Sequence, residues 1–352
     1  MPRLEIGPIS QLFQQIFASY GFSKEDSKVI SDSLIDADLR GIQSHGIQRL
    51  KMYHQRIKNG DIVVDQAPEV LVDLPAISVI NAHHGMGQLV ATQAMEATIQ
   101  KAASTGIAMT VVRNSNHFGA AGYYARMASR QGLIGIAMTN TNPITIPTHA
   151  RVPFLGSNPI ACAVPAESND MVFDAATSTV SFGKIEILKR QQNRMPQQWA
   201  LNERGEVSTS PNEIVTGLRQ VPRVGGILPI GGSGEEHSGY KGYGISLMVE
   251  ILTGVLAQGT LSADQQKAHQ QGISHSFIVL NPTLFGNFEE IKGAVTDLLH
   301  RLRALPSSDG FPVLVPGDKE NVAYHKNIQE GILVQESTLS EIRRISLEQG
   351  IK

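Results

Sequence analysis

From about residue 68 the chain alternates short β-rich runs with Ala-rich helical stretches, and this alternation limits the fold more than any other feature. "AISVINA" is followed by "QLVATQAMEATIQKAASTG" and then "IAMTVVRN". After a further helix come "IGIAMTN", "PIACAVPA" and "MVFDAA", each short, apolar and closed by Gly, Pro, Asn or Asp. Strands interleaved with helices specify the α/β class.

The two ends read as helical. Leu12, Phe13, Ile16 and Phe17 recur at helical spacing, and Ser23-Lys24-Glu25-Asp26 resembles a capped start ahead of Val29, Ile30, Leu34 and Ile35. Asn59-Gly60 is a helix stop. Helices are expected again over 287–305, 318–330 and 337–349. The expected organisation is a helical part over 1–67, a central α/β domain over 68–314, and C-terminal helices over 315–352 that pack with the N-terminal lobe. The longest loop-like stretch is Gly-rich and covers 221–244.

A chain of 352 residues can bury a substantial core. With 41% hydrophobic residues, 18% charged residues and a formal net charge of -2, it has no basic excess for nucleic acid or an anionic membrane surface. No apolar run approaches the roughly 20 residues of a membrane span, and the start lacks the hydrophobic segment of a secretory signal. The chain therefore reads as cytoplasmic. The sole cysteine, Cys162, excludes an intramolecular disulfide and reads as a small core residue.

Two histidines stand out. In "SHGIQRLKMYHQ", His45, Arg49 and Tyr53 are four apart in succession and share a face if the segment is helical, with Ser44 as its cap. A guanidinium beside an imidazole suits a carboxylate clamp with proton transfer, although a solvated polar face has the same spacing. In "RNSNHFGAAGYYA", His117 lies where an apolar strand meets a helix, and Gly119-Ala120-Ala121-Gly122 leaves room for a flat ligand. A polar turn with an incidental imidazole is the plainer alternative. Without HExxH or a cysteine cluster, no metal is expected.

"HHGMGQLVATQA" carries Gly85 and Gly87 but has Val90 at the third position of GxGxxG and no acid at the expected distance. Its glycines read as a turn into a helix. "FDAATSTVSFGKIE" runs from Asp174 through a Thr/Ser series to Lys184, a type of stretch that can bind phosphate. "GYKGYG" puts Lys241 at a helix entrance, and "LVPGDKE" puts Asp318 after the Pro316-Gly317 turn. Lys189, Arg190 and Arg194 suit either a 2'-phosphate or a solvated helix end.

Together with "DLRGIQSHGIQRL", "GSNPIACAVP", "PQQWALNERGEVSTSP" and "GGSGEEHSGYKGYGISLMVEILTG", these motifs are similar to those of the type-2 malate/L-lactate dehydrogenases. That family includes ureidoglycolate, sulfolactate and diketogulonate oxidoreductases. The motifs occur in the family's order and span almost the whole chain. Ser157 before Asn-Pro and Asn202 after the Trp199 motif are mild departures from the family pattern.

The resemblance implies an NAD(P)-binding fold on a family-specific mixed sheet, not a Rossmann unit, with a helical lobe from both termini. It implies NAD as coenzyme, with NADP as the alternative, a small 2-hydroxy or 2-oxo acid substrate of malate or L-lactate type, and a homodimer. Other substrates of the family, among them a cyclic imino acid, and an inactive cofactor-binding protein are the alternatives. Carried over by position, Ser44, His45, Arg49, Tyr53 and His117 are the catalytic candidates, with proton transfer at either histidine. The cofactor candidates are His117, Phe118, Gly119, Ala120, Ala121, Asn140, Thr141, Asp174, Ala175, Ala176, Thr177, Ser178, Thr179, Lys184, Tyr240, Lys241, Gly317, Asp318 and Lys319.

Overall fold

The computed structural model describes residues 2–267 and 272–351. After the short strand β1 (Arg3–Leu4), helix α1 (Ile6–Ser19) buries Ile9, Phe13, Ile16 and Phe17, which the helical repeat brings to one side. Helix α2 (Lys24–Leu39) starts where Ser23 Oγ accepts the Asp26 N–H at 3.0 Å, with Glu25 and Asp26 in the first turn favoured by the helix dipole. Helix α3 (Leu50–Lys58) completes the N-terminal group.

The central sheet takes β2 (Glu69–Asp73), β3 (Ile77–Asn81), β4 (Ile107–Ser115), β5 (Ile134–Thr139), β6 (Ile160–Val164), β7 (Met171–Ala175) and β10 (Ile273–Leu280), in the order β2-β3-β4-β10-β5-β6-β7. Only β3 and β4 run parallel, and α4 (Gly87–Thr105) crosses between them. The other neighbours are antiparallel, so the sheet is mixed. Helices α4 and α5 (Ala121–Ser129) cover one face, where small side chains allow close approach. At Gly135, a Cβ would lie 2.4 Å from the Ala125 carbonyl oxygen, so glycine lets α5 lie flat on β5. Phe277, Val279 and Val112 pack against the alanines of these helices.

A smaller cluster follows β7. Helices α6 (Phe182–Arg190) and α7 (Pro211–Leu218) and the paired strands β8 (Ala200–Leu201) and β9 (Gly226–Ile227) gather Ile185, Ile214 and Ile227. Helix α8 (Gly239–Glu250) runs directly into a π-turn over Ile251–Val255. Helix α9 (Phe288–Arg303) precedes α10 (Asp318–Glu330), β11 (Ile332–Leu333) and α11 (Glu336–Glu348). Strand β11 pairs with β1, and Ile342 and Ile345 join Phe13, Ile16 and Leu50 in one apolar cluster. Among the described residues, no helix is long and apolar enough to cross a membrane.

Cys162 departs from the core position expected of it. It is only partly buried, because β6 lies beside the sheet's outermost strand and its register partner Phe173 is 40% exposed.

His275, in the centre of β10, is fully buried and stacked on Phe118 with ring centroids 4.4 Å apart. Its Nδ1 meets Thr139 Oγ1 and its Nε2 meets Ser115 Oγ, both at 2.9 Å. Burial pushes the ring's pKa down to about 3. The unfolded chain, titrating near 6.5, therefore binds the extra proton first. Stability should be complete above about pH 6.5 and fall by on the order of 1.4 kcal/mol per unit as pH drops toward 3. Urea midpoints across this window should show a shallower acid slope for His275→Gln than for the wild type; equal slopes would refute the assignment.

Candidate active site

The segment "SHGIQRLKMYHQ" does not form the single helix its spacing predicts. Residues 43–45 and 47–49 make separate 3-10 turns, and α3 begins only at Leu50. The break is at Gly46, whose backbone is extended. The Asp38 carboxylate lies beneath it, where a Cβ on Gly46 would come within 2.1 Å of Oδ2. Asp38 Oδ2 also accepts the Ile47 N–H at 2.6 Å, so an acid nine residues upstream does the capping expected of Ser44. Burial raises the Asp38 carboxyl to about 7. Ser44 Oγ instead meets His45 Nδ1 at 2.8 Å, and Arg49 Nε donates to the Ser44 carbonyl, which holds the guanidinium against the His45 turn.

His117 follows β4 on a tightly held loop. The buried Asn116 amide donates to the carbonyls of Asp61 at 3.0 Å and His84 at 2.9 Å. The start of α4 closes on the same loop: a Cβ on Gly87 would lie 2.4 Å from the carbonyl oxygens of both Asn116 and His117. The helix N-terminus that would hold a pyrophosphate in a Rossmann unit is thus packed against backbone, and Gly87 permits that contact. Tyr53, fully buried on α3, meets His117 Nδ1 at 2.7 Å.

The two distant histidines converge. Their rings stack with centroids 5.6 Å apart and 15° between planes, in the wall of a cleft of about 1690 Å³ that Arg49 also lines. Each Nδ1 is tied to a hydroxyl, Ser44 for His45 and Tyr53 for His117. Among the described residues, neither Nε2 has a hydrogen-bond partner. Removal from water, with Arg49 nearby, lowers His45 to about 4. Removal from water, then the charges of His45 and Arg49, holds His117 well below the usual imidazole range. Both rings are therefore neutral near pH 7.

The same cleft is lined by Phe118, Gly119, Ala120, Ala121, Asn140, Thr141, Asp174, Ala175, Ala176, Lys184, Gly317 and Lys319. Asp174 accepts the Gly122 N–H at 2.7 Å, and Lys184 Nζ lies over the Trp199 ring. Asn140 presents no free amide: its Oδ1 accepts from Ser274 N, and its Nδ2 donates to Glu250 and the Thr260 carbonyl.

Other candidates lie outside the cleft. The hydroxyls of Thr177, Ser178 and Thr179 are spent on the carbonyls of Ser157, of Val180, and of Trp199 and Leu228, so the stretch that resembles a phosphate loop is held by its own neighbours. Tyr240 is exposed on α8 beside Lys241, whose Nζ stays near the Tyr240 ring, and neither side chain reaches the cleft. Asp318 turns to Arg303, in contact at 2.8 and 3.0 Å. Lys189, Arg190 and Arg194 do not line the cleft either. Among the described residues, no group of His, Cys, Asp or Glu is placed to hold a metal ion.

Several lining residues carry weak signals in the sequence. Ser181, Phe182 and Gly183 bring the start of α6 to the cleft, and a Cβ on Gly183 would lie 3.5 Å from Arg49 Nη2. The glycine four residues past Thr179 is the visible sign. Arg126, 6% exposed and paired with Asp36, is legible only as the one charged residue of α5.

Residues 5–343 match the family model described as malate/L-lactate dehydrogenase. The malate dehydrogenase of Pyrococcus abyssi is 37% identical over 351 residues, covering 98% of this chain and 95% of that protein. The L-sulfolactate dehydrogenase of Methanocaldococcus jannaschii is 32% identical, with 97% and 95% covered. The crystal structure of malate dehydrogenase from Entamoeba histolytica superimposes with a TM-score of 0.96 at 31% identity, covering 100% of this chain and 99% of that one.

Proposed function

The chain belongs to the malate/L-lactate dehydrogenase family, and from that premise we propose that it interconverts a 2-hydroxy acid of malate or lactate type and its 2-oxo acid, with NAD as coenzyme and NADP as the alternative. The observation that carries this reading is the pair of stacked imidazoles, each held at Nδ1 by a hydroxyl, sharing a cleft with Arg49.

The cleft suits a nicotinamide coenzyme in its own residues. Gly119, where a Cβ would meet nothing within 4 Å, and Ala120, Ala121, Ala175 and Ala176 leave room for a flat ring. Lys184 and Lys319 offer cations for phosphates, and the Asp174 carboxylate offers an acceptor for ribose hydroxyls. When bound, the nicotinamide supplies the hydride chemistry. The chain supplies position and proton transfer. Arg49 holds the substrate carboxylate through its planar fork. At His117 the Gly119 N–H donates to Nδ1 at 3.3 Å, which puts the proton of the neutral ring on Nε2, where it can hydrogen-bond the substrate oxygen. At His45 an Nδ1–H donated to Ser44 keeps a lone pair on Nε2, and this accepts the proton of the substrate hydroxyl. The lowered pKa of His45 leaves that lone pair available at neutral pH.

In this reading residues 68–314 supply most of the coenzyme site, and 1–67 with 315–352 form the lobe that carries His45, Arg49 and Lys319. A homodimer fits the apolar surface of α8 and the π-turn, where Met248 is 60% and Val255 and Leu256 are each 48% exposed.

The test is a fluorescence titration with NADH and NADPH, joined to turnover assays on oxaloacetate, pyruvate and sulfopyruvate. Binding of one coenzyme with reduction of at least one acid is expected. Binding without turnover of any acid would mark an inactive binding protein, and failure to bind either coenzyme would refute the reading.

A further inference from the structure

Glu250 is a buried carboxylate, 5% exposed, where α8 passes into the π-turn. Its Oε1 accepts from Ser262 N at 2.7 Å and Asn140 Nδ2 at 3.2 Å. Its Oε2 accepts from Ser262 Oγ at 2.6 Å and Asn158 Nδ2 at 2.8 Å. Gly254, one turn on, leaves the space this needs: a Cβ there would come within 3.0 Å of Asn140 Nδ2 and 3.3 Å of Glu250 Oε1. π-Turns recur where a helix is adjusted to serve a site.

The two asparagines each adjoin a residue of the cleft wall. Asn140 precedes Thr141 and Asn158 follows Ser157, and both of those neighbours line the cleft. The two wall segments meet where Ser157 N donates to Thr141 Oγ1 at 2.9 Å. Ser157 O in turn accepts the Thr177 N–H at 2.8 Å and its hydroxyl at 3.0 Å, which ties in the end of the Asp174–Ala176 wall.

We infer that Glu250 is a positioning residue for the coenzyme: it touches no ligand, but through Asn140 and Asn158 it sets the relative placement of three segments of the cleft wall. The inference rests on the coenzyme reading above. A carboxylate is required, because four donors converge on two oxygens. A glutamine would turn an NH2 group toward N–H or O–H donors on one side and leave them unpaired.

Glu250→Gln tests this, with two readouts in the full-length protein. In the free protein, hydrogen exchange at the Ser157 amide should quicken roughly ten-fold, and the dissociation constant for NADH or NADPH should rise roughly ten-fold, as loss of a buried hydrogen bond implies. The coenzyme KM should rise more than kcat falls at saturation, with an unchanged circular dichroism spectrum. Ser262→Ala, which removes one donor and buries no new one, should shift both readouts in the same direction by less, and it decides the matter if Glu250→Gln does not fold. Wild-type protection at Ser157, or unchanged coenzyme affinity, would overturn the role. A wild-type protein that binds neither coenzyme would instead overturn the coenzyme reading, and the exchange measurement, made without coenzyme, separates that failure from a failure of the network.

Discussion

Replacing His117 by alanine is expected to lower kcat for 2-hydroxy-acid oxidation by roughly 10²-fold or more, and His45→Ala should also reduce turnover. The expectation follows from their shared position: stacked rings in one cleft, both neutral, each held by a hydroxyl at Nδ1. The larger loss identifies the proton carrier, and the smaller identifies the ring that orients it. Tyr53→Phe removes the hydroxyl from His117 Nδ1 and should cost less than His117→Ala, because the ring remains and the Gly119 N–H still donates to that nitrogen. Steady-state assays at saturating coenzyme measure all three. Turnover near wild type in both histidine variants would remove the mechanism.

Arg49→Met should have an effect of similar size on a different constant. If the guanidinium pairs with the substrate carboxylate, its loss leaves an anion without a partner in a partly dry cleft and should lower kcat/KM by roughly 10²- to 10³-fold, with most of the change in KM. Arg49→Lys keeps the charge but loses the fork and the Nε bond to the Ser44 carbonyl, so it should recover only part of the activity. The comparison to make is the KM of the acid in both variants against the coenzyme dissociation constant, which should stay within a few-fold of wild type. A KM unchanged in Arg49→Met would show that the carboxylate binds elsewhere.

Local features of the fold were legible where the physical cause is local. Ser23 caps α2, and the apolar repeat of α1 faces the core, because neighbours along a few turns decide both. Gly85 and Gly87 read correctly as a turn into a helix, though not why: Gly87 is needed for contact with the backbone of residues 116 and 117, a contact no local pattern reveals. The order of the sheet was hidden for the same reason. Strand β10 enters between β4 and β5 from more than a hundred residues away, and register is set by packing across that distance.

The candidate site was legible in which side chains it gathers, and less so in its local geometry. His45, Arg49 and His117 share one cleft, yet the helix expected to align the first two is broken at Gly46, because Asp38 supplies the cap from another helix. Thr177, Ser178 and Thr179 have the composition of an anion-binding loop, but composition does not say whether a hydroxyl faces a ligand or a neighbouring carbonyl, and here the carbonyls take them. Glu250 has the opposite character: it is an acid in an apolar helix, and its surroundings are set by donors from Asn140, Asn158 and Ser262, which no local pattern reveals.

The most direct test is a crystal structure of the protein with NADH, or NADPH, and a non-reactive 2-oxo acid analogue. The account predicts the analogue's carboxylate on Arg49 and its second oxygen within hydrogen-bond reach of Nε2 of His45 or His117, with the nicotinamide in the same cleft. An analogue bound away from Arg49, or a nicotinamide on another surface while both rings face solvent, would contradict it.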